Sequence, residues 1–162
     1  MMYTLLYLIL YFITLNPLAS EEAEDIAKAL GWMAIGIGVI ANVIFILYNR
    51  VRKLSLTYLG SSSSNAIRSL AVMYKPMLNM HIALNTIGYI AGMVHGLLFI
   101  RYLEPITLSL AIVMSVLMLS GLLLRYTSSR DVKIFNRLLH GQSILTIMLV
   151  LLIMLHVFTA DD

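Results

Sequence analysis

The stretch NMHIALNTIGYIAGMVHGLL, residues 79–98, decides the fold. Its only groups that titrate near neutral pH are two imidazoles, His81 and His95, and everything between them is apolar, small or uncharged. About twenty apolar helical residues cross a hydrocarbon core about 30 Å thick, so this stretch reads as the heart of a membrane span. The histidines are fourteen residues apart. In a regular helix that spacing is about 21 Å of rise and almost four turns, so both leave nearly the same face. Gly88 lies midway on that stripe and Gly92 and Gly96 extend it, making a groove of small residues where a backbone or a flat ring can approach closely.

Composition says that lipid is the solvent. Of 162 residues 60% are apolar and 12% charged, with a mean hydropathy of +0.92, well away from the soluble norm of about half apolar and a quarter charged. The length suits one small domain, with no room for an appended flavin, nucleotide or iron–sulfur domain. The absence of cysteine excludes disulfides, thiolate ligation and C-x-x-C-H haem attachment. A metal or haem held by this chain must use His or Met.

Apolar runs bounded by charge predict an all-α integral membrane bundle of five transmembrane helices: about 3–19, 26–48, 77–102, 106–126 and 138–159, with a loop over 49–76. Residues 3–19 lack the basic start of a signal peptide and read as an uncleaved helix. Tyr48, Tyr102 and Tyr126 suit the interfacial belt. In the long loop, 60–65 read as a flexible turn and 66–74 as a short helix at the inner surface, where a partner would dock.

Charge predicts the orientation. Arg50, Arg52, Lys53, Arg68, Lys75, Arg125, Arg130, Lys133 and Arg137 fall between spans two and three or four and five, against seven of the eight acids on the other side. Those loops are expected in the cytoplasm, with the N terminus inside and the C terminus outside in the plasma membrane. Their basicity reads as topology and contact with anionic lipid, not as a nucleic-acid surface.

The remaining chemistry rests on four histidines. His81 and His95 lie on span three and His140 and His156 on span five. Both spans are expected to run from inside to outside, so two pairs form at two depths: His81 with His140 near the inner face and His95 with His156 near the outer. On span five the histidines are sixteen residues apart, about 24 Å of rise but about 160° of rotation. A regular helix would therefore put them on nearly opposite faces, and Gly141, directly after His140, is where an unwound turn or bulge would correct this.

The quoted helix, with its His–Gly–His stripe and a second two-histidine span, resembles the di-haem cytochrome b membrane subunits, a broad group of quinol-linked, b561-like and ferric-reductase-like proteins. The resemblance covers spans three to five. It implies two haems b, an inner one on His81 and His140 and an outer one on His95 and His156, with Gly88 clearing the face between the ligands; a single haem is the reduced version. Haem propionates would turn toward water and pair with cations, with Arg101 the outer candidate and Lys28 second, and Lys75, Arg125 and Arg137 competing inside. The resemblance further implies an electron-transfer subunit without catalysis of its own, working with other subunits of a membrane redox complex and with quinol or quinone.

Other readings use fewer residues. A non-haem accessory subunit would leave the paired histidines unexplained. A proton relay would want mid-membrane acids, which the spans lack. Met73, Met77, Met80 and His81 would suit Cu(I), although methionine more often fills gaps in packing. The glycine groove also serves ordinary helix contacts, as do Gly31, Gly36 and Gly38; Trp32 reads as an interfacial or packing residue, and Asn42 and Asn85 are expected to hydrogen-bond within the bundle.

Overall fold

The computed structural model describes residues 21–58, 64–100, 104–141 and 143–159, and all regular structure there is helical. Five helices follow in order: α1 Glu21–Tyr58, α2 Ser64–Leu98, α3 Pro105–Tyr126, α4 Arg130–His140 and α5 Ser143–Thr159. The expected span at 3–19 lies outside the described residues. Three helices, α1, α2 and α3, are long and apolar enough to cross a membrane, and α4 with α5 makes a fourth crossing if the bent pair is counted as one. The chain is thus a membrane protein by the length and composition of its helices.

Two expectations need correction. The predicted loop at 49–76 is helical over 49–58 and 64–76, so that α1 has 38 residues and α2 has 35, about 57 and 52 Å of rise. Arg50, Arg52, Lys53 and Leu54 are good helix formers, and apolarity marks where lipid ends, not where a helix ends. Pro76 sits inside α2. The loss of one backbone hydrogen bond there is tolerated because α1 holds the helix on either side: before the proline the Tyr48 hydroxyl donates to the Leu70 carbonyl and Arg52 lies over the Tyr74 ring at 4.8 Å, and after it His81 bonds the Ala41 carbonyl. The second correction is to the continuous span at 138–159. It is broken after His140, and α4 and α5 meet at 46°.

α1 and α2 form an antiparallel hairpin whose seam follows a heptad period. Ala27, Gly31, Ala34, Gly38, Ala41, Phe45 and Tyr48 advance in alternating steps of four and three, the spacing that keeps one helix face toward a partner. The facing residues of α2 fall as those of α1 rise. His95 bonds the Ala27 carbonyl, a Cβ on Gly88 would meet the Ala34 oxygen at 3.3 Å, and His81 bonds the Ala41 carbonyl. The contact is made by small residues, with Ala27 and Ala41 fully buried, as expected where lipid gives helices no hydrophobic reason to associate and close van der Waals approach must hold them.

α3 runs antiparallel to α2, with Tyr89 against Ser115 at 3.0 Å and Asn79 accepting from Arg125 at 2.9 Å. α4 and α5 then return along α3. This order gathers Arg50, Arg52, Lys53, Arg68, Lys75, Arg125 and Arg130 at one end of the bundle and Glu21, Glu22, Glu24, Asp25 and Glu104 at the other.

Asn42 and Asn85 do bond across the hairpin, Nδ2 to Oδ1 at 3.0 Å. Asn42→Leu is expected to cost about 0.6 kcal/mol, the usual worth of one polar contact between membrane helices. A double-mutant cycle with Asn85→Leu, read from unfolding in detergent, should show coupling of that size.

Candidate functional site

All four histidines are half-buried and face into the bundle. They lie at two levels. At the acidic end His95 of α2 and His156 of α5 meet, their ring centroids 5.9 Å apart and their planes at 81°. At the basic end His81 of α2 bonds the Ala41 carbonyl of α1, and His140 of α4 lies against Leu117 and Ser120 of α3. The levels are fourteen residues apart on α2, about 21 Å of rise. On the returning strand of helix they are sixteen apart, and the break after His140 absorbs the mismatch in rotation that a continuous helix would impose.

Each Nδ1 is tied down. His95 Nδ1 donates to the Ala27 carbonyl at 2.7 Å, His81 Nδ1 to the Ala41 carbonyl at 3.3 Å, and His140 Nδ1 to the Leu117 carbonyl at 3.1 Å. A carbonyl can only accept, so the neutral form of each of these three rings carries its proton on Nδ1 and its lone pair on Nε2. His156 Nδ1 shares a hydrogen bond of 3.1 Å with the Thr107 hydroxyl. At the basic end Ser120 Oγ, 3.3 Å from His140 Nδ1, is a second acceptor for that ring, and Asn85 Nδ2 donates to the His81 backbone carbonyl at 2.8 Å. Among the described residues no hydrogen bond engages any of the four Nε2 atoms, and no buried polar side-chain atom lacks a partner.

Two seats share a local design. A carbonyl inside a helix already accepts from the residue four positions on, and a second donor must approach past that residue's side chain. Ala27 is followed four residues later by Gly31, and Leu117 by Gly121. A Cβ on Gly31 would lie 3.0 Å from the His95 ring, and one on Gly121 would lie 2.9 Å from that of His140. Both glycines make room for an imidazole. At the third seat the residue after Ala41 in this sense is Phe45, which stacks on His81 instead, centroids 4.5 Å apart at 25°. The glycines of α2 do other work. Gly88 and Gly92 face Ala34, and Gly92 also faces Met114, so their smallness serves contacts with α1 and α3.

Of the expected cations, Arg101 lies outside the described residues. Lys28 pairs with Glu24 at 2.8 Å, Arg125 donates to Asn79, and Lys75 and Arg137 are exposed. Met73, from the expected copper set, is half exposed on the outside of the hairpin. Sequence reasoning missed Thr107, Gly31, Gly121 and the three carbonyls. The glycines carried a signal, a small residue four positions after a helical carbonyl, but only packing tells which carbonyl receives a ring.

The donor set can be tested against haem from these distances. His95 and His156, with ring centroids 5.9 Å apart, are near enough for both imidazoles to reach one bound group. Among the described residues no three His, Cys, Asp or Glu converge; the imidazoles come in pairs. A bare ion such as zinc takes four ligands, whereas a porphyrin supplies four of its own and asks the protein for two. Nδ1 bonded to a carbonyl or hydroxyl is the support that metal-ligating histidines ordinarily have. No family model matches the chain, and no curated protein or solved structure matches it.

Proposed function

We propose that the chain is a b-type cytochrome subunit of the plasma membrane that carries electrons across it, with one haem held by His95 and His156 and a second by His81 and His140. The observation that carries this reading is the common state of the four rings: each Nδ1 is engaged, no Nε2 has a hydrogen-bond partner among the described residues, and His95 and His156 stand with ring centroids 5.9 Å apart. The basic end of the bundle is the cytoplasmic end by the positive-inside rule, so the first pair is the outer and the second the inner one, with the N terminus inside and the C terminus outside.

Haem b, when bound, supplies a one-electron iron centre, and two imidazole ligands leave it no open position for a substrate. The chain's own work is positional. The Ala27, Ala41 and Leu117 carbonyls hold their histidines in the Nδ1–H tautomer, which keeps the lone pair on Nε2 and raises its basicity. The α1–α2 seam fixes two of the rings on one rigid face, while α3 orients the other two through Leu117, Ser120 and Thr107. A conduit of this kind needs a donor and an acceptor. Quinol or quinone on one side and the other subunits of a membrane redox complex suit that role, with no part for nucleic acid.

The test is a reduced-minus-oxidised visible spectrum of the purified full chain with pyridine haemochrome quantification. Two haems b per chain are expected, and none overturns the reading. One haem would confine it to the outer pair, whose rings stand 5.9 Å apart.

A further inference from the structure

α4, RDVKIFNRLLH, is amphipathic in an inverted sense. In a water-soluble bundle such a helix turns its apolar face to the core. Here Asn136 is turned inward and only 4% exposed, whereas Ile134, Phe135 and Leu138 are 49%, 61% and 61% exposed. The polar side of α4, with Lys133, Asn136 and His140 the more buried, faces α3, against which it packs. Its outer face therefore needs an apolar neighbour. The helix also carries Arg130, Lys133 and Arg137 against the single acid Asp131, and among the described residues none of the three cations forms an ion pair.

We propose that α4 is an interfacial anchor. Its Ile134, Phe135 and Leu138 enter the acyl boundary of the leaflet at the basic end of the bundle, while the exposed Arg130 and Arg137 hold anionic lipid headgroups. Charge favours lipid over a protein partner, because a basic amphipathic helix is the form that recognises an anionic surface. Continuity argues the same way: α4 leads through the 46° bend directly into α5, an apolar helix, and lies along the membrane-crossing α3. That the leaflet is cytoplasmic, where anionic lipids are held, rests on the orientation proposed above. His140 ends α4 and sits on Leu117 and Gly121, so the lie of the anchor in the headgroups sets the position of that imidazole whether or not it carries haem.

Trp32 is the only tryptophan, so Phe135→Trp in a Trp32→Phe background reports α4 alone. With the full chain in nanodiscs, lipids brominated near the glycerol should quench this tryptophan most and lipids brominated near the chain ends least. No quenching by any lipid, meaning that protein or water covers the face, overturns the proposal. So does strongest quenching at the bilayer centre, meaning that α4 simply continues a span. In mixed phosphatidylcholine and phosphatidylglycerol, native mass spectrometry should find phosphatidylglycerol retained preferentially, and R130Q/R137Q should lower that preference about fivefold per cation removed. Equal retention by the variant overturns the headgroup assignment, with circular dichroism confirming that its helices are intact. Neither readout depends on haem, so a colourless protein would sink the proposed function and leave this one standing.

Discussion

His95→Ala is expected to lower the haem content from two per chain to one, and His156→Ala to do the same. The two rings stand 5.9 Å apart, so each removes one ligand of a shared site and leaves a single imidazole to hold what two held. The decisive comparison is among double variants. H95A/H156A should retain the same single haem as either parent, because both changes act on one centre. H81A/H95A takes a ligand from each centre and should leave the chain colourless. Additive loss in the first pair, or survival of pigment in the second, would show the pairing to be wrong. Thr107→Val offers a gentler version. It keeps His156 but removes the hydroxyl that orients Nδ1 at 3.1 Å, and loss of such a supporting partner costs about 10–100-fold in affinity. A haem titration of that variant should therefore weaken the outer site and leave the inner one unchanged.

Gly31→Ala and Gly121→Ala should destabilise the protein where the same change elsewhere stabilises it. Alanine in a helix interior is favoured over glycine by about 1 kcal/mol. At Gly36 and Gly96 nothing lies within 4 Å of an added Cβ, so those variants should gain that preference in part or whole. At Gly31 and Gly121 the methyl would approach an imidazole to 3.0 and 2.9 Å, and crowding of a packed interior costs about 1–3 kcal/mol. The crowding outweighs the preference, and it falls on a ring held by a carbonyl that leaves it little room to move. Unfolding midpoints in detergent should rank G36A and G96A at or above the parent, with G31A and G121A below it. In the haem-loaded protein G121A should disturb only the inner centre and G31A only the outer. A uniform stabilisation across all four would mean that the glycines are not seats for the histidines.

What could be read from the chain follows from which physical quantity each feature depends on. Helices and lipid exposure depend on summed apolarity, and the all-helical character was legible in residues 79–98 alone. The spacing of His81 and His95 along α2 depends only on rise per residue, and was legible too. Where helices end was not. Residues 49–58 and 64–76 are polar enough to leave the membrane yet remain helical, since helix formation and lipid solvation are separate preferences that part company in NRVRKL. The rotation of His140 against His156 was visible as a conflict, sixteen residues where fourteen would serve, and Gly141 marked the place of its resolution; the 46° angle needed the fold. Gly88 could not be assigned from spacing, because a groove for a ring and a groove for a helix have one sequence, and only the presence of Ala34 against it distinguishes them. The carbonyl partners of the imidazoles were invisible for a simpler reason: every residue has a carbonyl.

The seating of two histidines by α1 has a consequence for the order of biosynthesis. α1 and α2 are neighbours in the chain, and their hairpin alone contains both the His81 and His95 side chains and the Ala41 and Ala27 oxygens that orient them. Once this hairpin is inserted, the His81 and His95 rings are already oriented, while the ribosome has yet to deliver His140 and His156. The nascent protein thus passes through a stage in which these two rings await the partners that α3 to α5 bring. The last of those partners comes with the last of the described helices.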